Sequence, residues 1–342
     1  MRIGLAYDLK PQKTAPGGML DEEAEEYDPP KTIDALAAEI ERLGHQVVRL
    51  GGGVAFLDNV RSAHVDFVFN ISEGRGTYRG REAQIPSVLE MLGIPYSGSD
   101  PLSLSICLDK PSAKLVALSA GVRTPPYKVV RSLDELHDLQ CGLPAFPLVV
   151  KPAFEGSSKG IHYSSRVETC DDLQRSVEAV LTAYRQPALL EQFIPGTEIT
   201  VGIVGNTPPR IVGVMEVVPR SGDAGNFMYT IEVKRNWRDL VFYRCPPDLP
   251  RECIQDIEDA ALTMYKALDC RDMGRIDFRI DSQHRGFFLE ANPLPGLGDY
   301  SDLPIMAGMG GWSFSQLIEA ILNPALERYG LLGPSYAHSN SI

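Results

Sequence analysis

The chain contains the segment GRIDFRI at residues 274–280 and the segment FFLEANP at residues 287–293. Apolar and polar residues alternate in the first segment, a polar turn follows, and the second segment begins as an apolar run, so the two are predicted to form a β-hairpin. Residues at i and i+2 of a strand share a face. The side chains of Asp277, Glu290 and Asn292 are therefore expected to lie on one face of this hairpin.

That face carries the chemistry expected of a metal site. Two carboxylates and an amide oxygen are hard ligands that suit Mg²⁺, or Mn²⁺, together with water and substrate phosphates. Arg275 shares the face, and a cation beside such a cluster is expected where an anionic transition state must be stabilised. The alternative is a surface hairpin whose charged side chains are solvated.

Composition limits the classes of protein to consider. The 342 residues suggest two or three domains or one multi-lobed enzyme, and a hydrophobic content of 44% is enough for a sizeable core. The net charge of −12 argues against nonspecific binding to nucleic acid or to an anionic membrane, although a few local lysines can still hold a nucleotide. No apolar run is long enough to span a membrane, and the first residues are typical of a strand, not of a signal peptide. The six scattered cysteines indicate free thiols in a reducing cytoplasm.

The order of the predicted elements gives the fold class. Strand, helix and strand alternate near the start, which is typical of an open parallel sheet with helices on its faces. Later strands are expected to be antiparallel, so the class is α/β with α+β character in the C-terminal lobes. Four regions are expected: an N-terminal α/β domain at 1–108, a central lobe at 109–196, a C-terminal lobe with the metal site at 197–330, and a flexible tail at 331–342. Helices are expected at about 32–43, 109–120, 132–139, 170–184, 250–268 and 313–322.

Three loops are candidates for ligand binding. Lys151 ends a strand and leads into the Gly/Ser loop 153–160, where backbone N–H groups and serine hydroxyls can meet phosphate oxygens. The strand at 189–193 breaks at a Pro-Gly pair before Glu198, a residue type that accepts hydrogen bonds from ribose hydroxyls in other nucleotide sites. The loop 292–301 follows the metal strand and can direct N–H groups at an oxyanion. Each loop alone is also compatible with an ordinary turn or linker.

Taken in this order, the features resemble the ATP-grasp superfamily, and more closely the D-alanine–D-alanine ligase family. The resemblance covers about residues 60–325. It implies an ATP-grasp fold preceded by an N-terminal open parallel-sheet domain, binding of ATP, and dimerisation through the first domain. The motifs that carry it are PYSGS at 95–99, DK at 109–110, VKPAFEGSSKG at 150–160, GRID at 274–277 and LEANPLPG at 289–296.

The resemblance also implies roles for individual residues. Lys110 and Lys151 would hold the phosphates, and Ser157 and Ser158 would lie on the covering loop. Glu191, Gln192 and Ile194 would contact adenine, and Glu198 would bind ribose. The metal ligands would be Asp277, Glu290 and Asn292. The catalytic residues would be Arg275 and the Gly296 N–H on the tetrahedral oxyanion, Lys234 on the transferred phosphoryl group, and Ser158.

The sequence departs from the family pattern around the amino-acid pockets. Glu73 stands about where the family has a histidine. The early family segment whose acidic residue holds the first substrate's ammonium is missing, and Glu25 or Glu26 is the candidate substitute. The departures therefore concern the substrates and leave the nucleotide and metal motifs intact.

Two further departures lie near the second substrate. Arg235 replaces an aromatic residue after the phosphoryl lysine, and Asp302 follows Ser301 where an apolar residue is usual. Together with Glu73, these three are the candidate substrate residues. Asp302 is expected to repel a substrate carboxylate unless Arg235 or another cation offsets its charge.

These features predict an ATP-dependent carboxylate–amine ligase that acts through an acyl phosphate. By resemblance the product is D-alanyl-D-alanine for peptidoglycan, and the close alternative is a related ligase that joins another amino acid or amine. A phosphotransferase that stops at a stable phosphoester and a nucleotide-binding protein without turnover are the alternatives from other classes. The expected partners are amino-acid or small amine substrates, without nucleic acid or membrane. The Gly/Ser loop and the polar segment 219–240 are expected to close as lids that exclude water.

Overall fold

The computed structural model describes residues 1–11, 22–139 and 142–332. The predicted tail lies outside the described residues from residue 333 onward, as does part of the acidic segment before the first helix. Within the described part, no helix combines the length and the apolar character needed to cross a membrane.

The N-terminal sheet has three parallel strands in the order β2-β1-β3: β1 (Arg2–Tyr7), β2 (Gln46–Gly51) and β3 (Phe67–Ile71). This confirms the predicted open parallel sheet. Buried side chains recur every three or four residues along the first helix, which therefore packs on the sheet through one face. The helices of this region are α1 (Pro30–Arg42), α2 (Gly53–Ala63), α3 (Gln84–Leu92) and α4 (Pro101–Leu108).

A second sheet of four antiparallel strands follows in the order β4-β7-β5-β6, with β4 (Tyr127–Val130), β5 (Leu148–Pro152), β6 (Arg166–Val167) and β7 (Ala188–Gln192). The helices α6 (Leu133–Asp138) and α7 (Cys170–Ala183) share one apolar core with this sheet. Strand β5 is buried along its whole length and carries Lys151 and Pro152 directly into the Gly/Ser loop.

The third sheet has five antiparallel strands in the order β10-β9-β8-β11-β12. They are β8 (Thr197–Val204), β9 (Arg210–Pro219), β10 (Val241–Arg244), β11 (Met273–Ile280) and β12 (Gly286–Asn292). The helices of this region are α8 (Ile231–Arg235), α9 (Trp237–Leu240), α10 (Arg251–Ala267), α11 (Asp302–Met309) and α12 (Phe314–Arg328). The expected antiparallel pairing of the strands near 198–205 and 211–217 is confirmed by β8 and β9.

Packing ties the three sheets together. Helix α5 (Lys110–Ser119) contributes Ala113 and Ala117 to the core that also holds α10 and one side of the third sheet. The other side of that sheet shares a core with α11, α12 and the N-terminal sheet. The start of α5, at Lys110, is thereby held against β12, the strand that carries the metal-ligand candidates Glu290 and Asn292.

The β11–β12 hairpin is confirmed. Asp277 lies opposite Glu290 and Arg275 opposite Asn292, so all four side chains share one face. The register shifts between Asp277 and Phe278, which leaves Leu289 as an extra residue on β12. Such a bulge bends a strand and re-aims its side chains, and it lies beside both carboxylates.

The main differences from the sequence-based elements are helices. The sequence did not predict α2, α3, α4 or α11, and the last helix was expected to end near Leu322. It continues to Arg328 with Pro324 inside it, because Ala325 and Leu326 extend the same buried face. The polar segment 219–240 contains the short helices α8 and α9.

Candidate active site

One large cavity of about 730 Å³ lies where the three sheets meet. Its wall is formed by the segment 25–29, the Gly/Ser loop, the ends of β5 and β7, the 219–240 segment, the β11–β12 hairpin and the loop 292–301. Every residue proposed from the sequence as a nucleotide, metal, catalytic or substrate residue lines this cavity. The structure therefore brings the whole predicted set together, while the individual roles stay predictions.

On the hairpin face, Arg275 is held between two carboxylates. Its Nε and Nη2 donate to Asp277 at 2.9–3.2 Å, and its Nη1 donates to Asp302 Oδ2 at 2.9 Å. Thr200 donates to the Oδ1 of Asp277 at 2.6 Å. The sequence left open whether Arg235 or another cation offsets Asp302, and in the structure Arg275 lies beside it.

Arg235 instead faces the N-terminal segment. Its Nε lies 3.0 Å from an oxygen of Glu25, a carboxylate that also lies 3.5 Å from Lys10. The adjacent Lys234 has its amine in the cavity, with no hydrogen bond or ion pair to any residue within the described ranges. Burial, and then the charge of Arg275, lower the pKa of Lys234. An amine in this position is available to an anionic ligand.

The two phosphate-binding candidates both hold carboxylates. Lys110 Nζ lies 3.0 Å from Glu290 and also donates to the backbone carbonyl of Glu155. Lys151 Nζ lies 3.2 Å from Glu191 Oε1. Burial opposes the ionisation of Glu290, but the charges of Lys110 and Lys151 outweigh it and lower the pKa of Glu290 to about 2.

Sequence reasoning missed Lys114, which is fully buried and lies 2.5 Å from the second oxygen of Glu191. It also donates to Thr124 at 2.8 Å. Burial lowers its pKa to about 8, although the charge of Glu191 opposes that shift. The signal was its position four residues after Lys110 on the same helix, which places both lysines on one face. Lys114 orients Glu191.

The donor set of the hairpin fits a hard divalent cation. Burial, followed by the nearby charge of Glu290, raises the pKa of Asp277 against the opposing effect of Arg275, so the two carboxylates repel each other. Asn292 Oδ1 accepts from the backbone of Leu294 at 2.9 Å, which fixes the direction of the amide. In the described ranges no group of three or more His, Cys, Asp or Glu side chains is placed to hold a metal. A cation here would therefore rely on two carboxylates, one amide oxygen and non-protein ligands.

The Gly/Ser loop is strained and anchored. Ser157 and Ser158 have φ values of +53° and +59°, a left-handed conformation that costs roughly 1–2 kcal/mol for each non-glycine residue. The N–H of Gly156 donates to Glu26 at 3.1 Å, and Ser158 Oγ donates to the carbonyl of Tyr229 at 3.3 Å. The loop therefore contacts both the N-terminal segment and the 219–240 segment.

The residues expected to bind adenine and ribose already form some hydrogen bonds within the protein. The N–H of Gln192 donates to Pro126 at 2.9 Å, so of its backbone groups only the carbonyl can serve a ligand. Ile194 lies beside it in the cavity wall. Glu198 accepts from Arg279 at 2.7 Å and from the N–H of Tyr229 at 3.1 Å through the same oxygen. Its second oxygen is left for hydroxyl groups.

The two acidic residues proposed to replace the missing ammonium-binding residue are both in ion pairs. Glu26 lies 2.8 Å from Arg81 and 3.0 Å from Lys159, and Glu25 pairs as described above. Glu73 and Glu82 also line the cavity, and neither forms a hydrogen bond or an ion pair with any residue that the structure describes. Sequence reasoning missed Glu82, because nothing in its spacing distinguishes it from a helix-surface glutamate.

The loop after β12 is tightly packed. A Cβ at Gly296 would lie 2.8 Å from Ser301 Oγ, so the glycine allows the serine to approach this backbone closely. Tyr300 OH lies 3.3 Å from Asp28 Oδ1, which connects the loop to the N-terminal segment.

Comparison with known proteins decides the family. The family described as "D-ala D-ala ligase C-terminus" matches residues 116–323, more than half of the chain. The chain belongs to the D-alanine–D-alanine ligase family. It is thus an ATP-grasp ligase by family, as the motifs predicted.

Similar proteins agree over nearly the whole length. A D-alanine–D-alanine ligase of Bordetella petrii is 34% identical over 80% of each chain. An uncharacterised protein of Sinorhizobium fredii is 31% identical over 89% of this chain and 90% of its own. A crystal structure of a D-alanine–D-alanine ligase from Bacillus anthracis complexed with ATP has a TM-score of 0.72 and 25% identity, covering 97% of this chain and all of its own. These matches confirm the predicted ATP-grasp fold.

Proposed function

We propose that the protein joins a carboxylate to an amine at the expense of ATP, through an acyl phosphate. The observation that carries this proposal is a shared cavity, lined by Arg275, the hairpin carboxylates, the strained Gly/Ser loop and Lys234, whose amine forms no hydrogen bond or ion pair with any described residue. Such a site has little covalent chemistry to perform and acts by positioning and by neutralising charge.

Lys110 and Lys151 would bind the phosphates, and the ATP complex of the Bacillus anthracis relative supports ATP as the nucleotide. Both lysines are held against glutamates, so their positive charges are already in place when the phosphates enter. Glu191, Gln192 and Ile194 would face adenine, and the free oxygen of Glu198 would face ribose.

Asp277, Glu290 and Asn292 would hold Mg²⁺, which when bound supplies charge neutralisation for the phosphates. The mutual repulsion of the two carboxylates supports a cation between them. Lys110 pairs with Glu290, so its amine already lies beside a residue that would hold the cation.

The carboxylate of the donor substrate would attack the terminal phosphorus of ATP, and the bond between that phosphorus and ADP would break. Lys234 would bind the phosphoryl group during the transfer. The amine of the second substrate would then attack the acyl carbon, and Arg275 with the Gly296 N–H would stabilise the resulting oxyanion. Phosphate leaves as the carbonyl re-forms and the amine loses a proton. Water must be excluded from the acyl phosphate, which is the function proposed for the Gly/Ser loop and the 219–240 segment.

For the substrates we keep D-alanine and the peptidoglycan dipeptide as the family-based proposal, and a related ligase with another amino acid as the alternative. Ser301 would contact the second substrate's carboxylate. The proposed lobes remain 1–108, 109–196 and 197–330, with a dimer through the first as a family-based expectation. The five described cysteines are free thiols, which supports the expected reducing cytoplasm.

The deciding experiment measures phosphate release by purified protein with ATP, Mg²⁺ and single or paired amino acids, with products identified by mass. A ligase produces ADP, phosphate and an amide in equal amounts. A phosphorylated substrate without an amide would indicate a phosphotransferase instead, and absence of turnover with every pair would contradict the proposal.

A further inference from the structure

The N-terminal wall of the cavity contains two carboxylates that the ligase chemistry does not use. Glu82 is only 7% exposed, lines the cavity, and forms no hydrogen bond or ion pair with any residue in the described part of the chain. Glu73 lines the same wall, also without such a partner there, and the charge of Glu82 is the largest charge acting on it. We call these two residues the acidic pair.

The cations near the acidic pair are already engaged elsewhere. Arg81 lies 2.8 Å from Glu26 and 3.2 Å from Glu155, and it donates to the carbonyl of Phe154. Lys159 lies 3.0 Å from Glu26 and 2.5 Å from Glu155. Lys110 is held by Glu290. The protein thus neutralises other carboxylates of this wall and leaves the acidic pair without a direct partner.

Glu82 is buried and Glu73 is partly buried, and ionised carboxylates in such surroundings are unfavourable without a partner. Burial and the neighbouring negative charge raise the pKa of Glu73 well above its usual range, and burial raises that of Glu82 to about 7. A largely buried carboxylate that lines a cavity without a protein partner is unusual, and a bound ligand is one way to complete it. A ligand with positive charge would do so.

The number of negative charges in the acidic pair limits the chemical class of the ligand. Any amino acid brings one positive charge on its α-ammonium, whereas the acidic pair carries two negative charges when both carboxyl groups are ionised. A substrate with a second ammonium or a guanidinium neutralises both. Glu82 is also close enough to Lys110 to be affected by its charge, and Lys110 holds Glu290 of the hairpin, so the pair lies beside the phosphoryl-transfer side of the cavity.

We propose that the donor substrate is an amino acid with a basic side chain, whose two cationic groups are bound by Glu73 and Glu82. This inference rests on the proposed ligase function, because that function makes the basic amino acid the donor substrate. The binding site itself does not depend on turnover. The acceptor remains as proposed above.

The test compares lysine with norleucine, which has the same chain without the terminal amine, and ornithine or arginine with alanine, in both chiral forms. Binding is measured by calorimetry on the full protein, with and without a non-hydrolysable ATP analogue, and kcat/KM is measured by phosphate release. The basic amino acid is expected to bind about tenfold or more tightly than its neutral counterpart, the scale of a hydrogen-bonded ion pair. Its binding at pH 7 is expected to release protons.

One of the variants Glu82→Gln and Glu73→Gln, at the carboxylate that binds the side-chain cation, should reduce the ratio of lysine affinity to norleucine affinity to within about threefold. The other, at the carboxylate that binds the α-ammonium, should weaken both ligands alike, and ATP affinity should stay unchanged in both variants. The matched control is Glu41→Gln, at an exposed position of α1, which should keep the wild-type ratio. If lysine binds no more tightly than norleucine to the wild type, the inference is overturned, whatever the ligase activity. If neither variant loses the lysine preference, the assignment to Glu73 and Glu82 is overturned. If one variant loses it but no amide forms, the acidic pair stands and the proposed ligase function fails.

Discussion

The two ends of the cavity differ in how their charges are compensated. At the nucleotide and metal end, each main charged side chain already has an opposite charge beside it: Lys151 with Glu191, Lys110 with Glu290, and Arg275 with Asp277. At the amino-acid end, the acidic pair Glu73 and Glu82 has no such partner in the described structure. We infer that the charges of the first end are arranged before a ligand binds, whereas the acidic pair of the second end is completed by a ligand.

The same division appears in the sequence. The nucleotide and metal end is built from the segments that resemble the family motifs, and the amino-acid end contains the departures. A site that neutralises phosphates and an oxyanion can serve many carboxylate–amine pairs, so it carries the reaction. We propose that substrate specificity depends on the part of the cavity wall that carries the acidic pair.

The largest effect should follow from removing a charge at the metal end. Glu290→Gln is expected to lower kcat by at least about 10²–10³-fold, because the variant removes a charged metal ligand and leaves phosphate charge uncompensated. Phosphate release should be measured over a range of Mg²⁺ concentrations, with thermal unfolding as the check that the fold is intact. Wild-type turnover of the variant at limiting Mg²⁺ would disprove the metal assignment.

The next effect concerns the free amine at the boundary between the two ends. Lys234→Met should lower kcat about 10²-fold while the dissociation constant for ATP changes little, since this amine is proposed to bind the phosphoryl group mainly during transfer. Pre-steady-state phosphate release and direct nucleotide binding separate the two. Lys266→Ala, at an exposed position of α10, is the control. A variant that loses ATP affinity and kcat together would instead make Lys234 a nucleotide-binding residue.

Lys151→Ala should weaken ATP binding by roughly 1.5–3 kcal/mol, the scale of a charge-assisted hydrogen bond. Glu191 keeps its pairing with Lys114 in this variant, so the fold should remain intact. Calorimetric titration with a non-hydrolysable ATP analogue tests the prediction. Wild-type affinity would remove Lys151 from the site and would weaken the contrast between the two ends.

How far the sequence predicts this molecule depends on whether a feature is local. The hairpin follows from alternation and a polar turn, and its shared face follows from period two, so Asp277, Glu290 and Asn292 could be placed together from the sequence. The family motifs extended this to the other residues around the cavity. Elements with weak local signals, such as α4 and α11, were missed because their placement depends on tertiary packing.

Ion-pair partners were the least predictable part. Nothing local indicates that Arg275 binds Asp302, which lies 27 residues further along the chain, or that Glu26 is taken up by Arg81 and Lys159. Likewise, the two free carboxylates of the acidic pair are visible only when the neighbouring cations are seen to be engaged. These properties arise from long-range contacts, which the sequence alone does not specify.

A pH-dependent contact joins the lid segments to the amino-acid end. His162 lies 3.1 Å from Glu22 and 2.8 Å from Glu232, and Tyr184 donates to Glu22 at 2.7 Å. The hydrogen bond to Glu22, then that to Glu232, raise the pKa of His162 to about 9 against the effect of burial. The contact should therefore be complete below pH 6.5 and be lost as pH rises through about 9.

This predicts that proteolysis within 219–240 is slow at pH 6.5 and becomes a few-fold faster by about pH 9.5, because local opening is easier without the contact. His162→Gln should remove the pH dependence and show the faster rate throughout. A saturating ATP analogue with Mg²⁺ and substrate should restore protection if these segments close over ligands. Equal rates at both pH values would mean that the contact does not hold the lid.

The smallest expected effect concerns Asp302. It tests whether the negative charge of this residue, or only its location in the cavity, affects binding of the second substrate. The sequence predicted that Asp302 repels a substrate carboxylate, but in the structure Arg275 lies 2.9 Å from it, so its charge is compensated. Asp302→Asn removes that charge and leaves Arg275 with Asp277 alone. The KM for the second substrate should then fall by about three- to tenfold, corresponding to roughly 1 kcal/mol for two unit charges a few ångströms apart in water. The kcat should stay within about threefold, because Arg275 keeps its place beside Asp277.

Steady-state kinetics at saturating ATP and donor measure both values, with Asp259→Asn at an unrelated position of α10 as the control. A KM that rises would show that Asp302 positions Arg275 for the carboxylate. In that case Asp302 belongs with the pre-arranged charges of the metal end, and the proposed source of specificity would be the acidic pair Glu73 and Glu82.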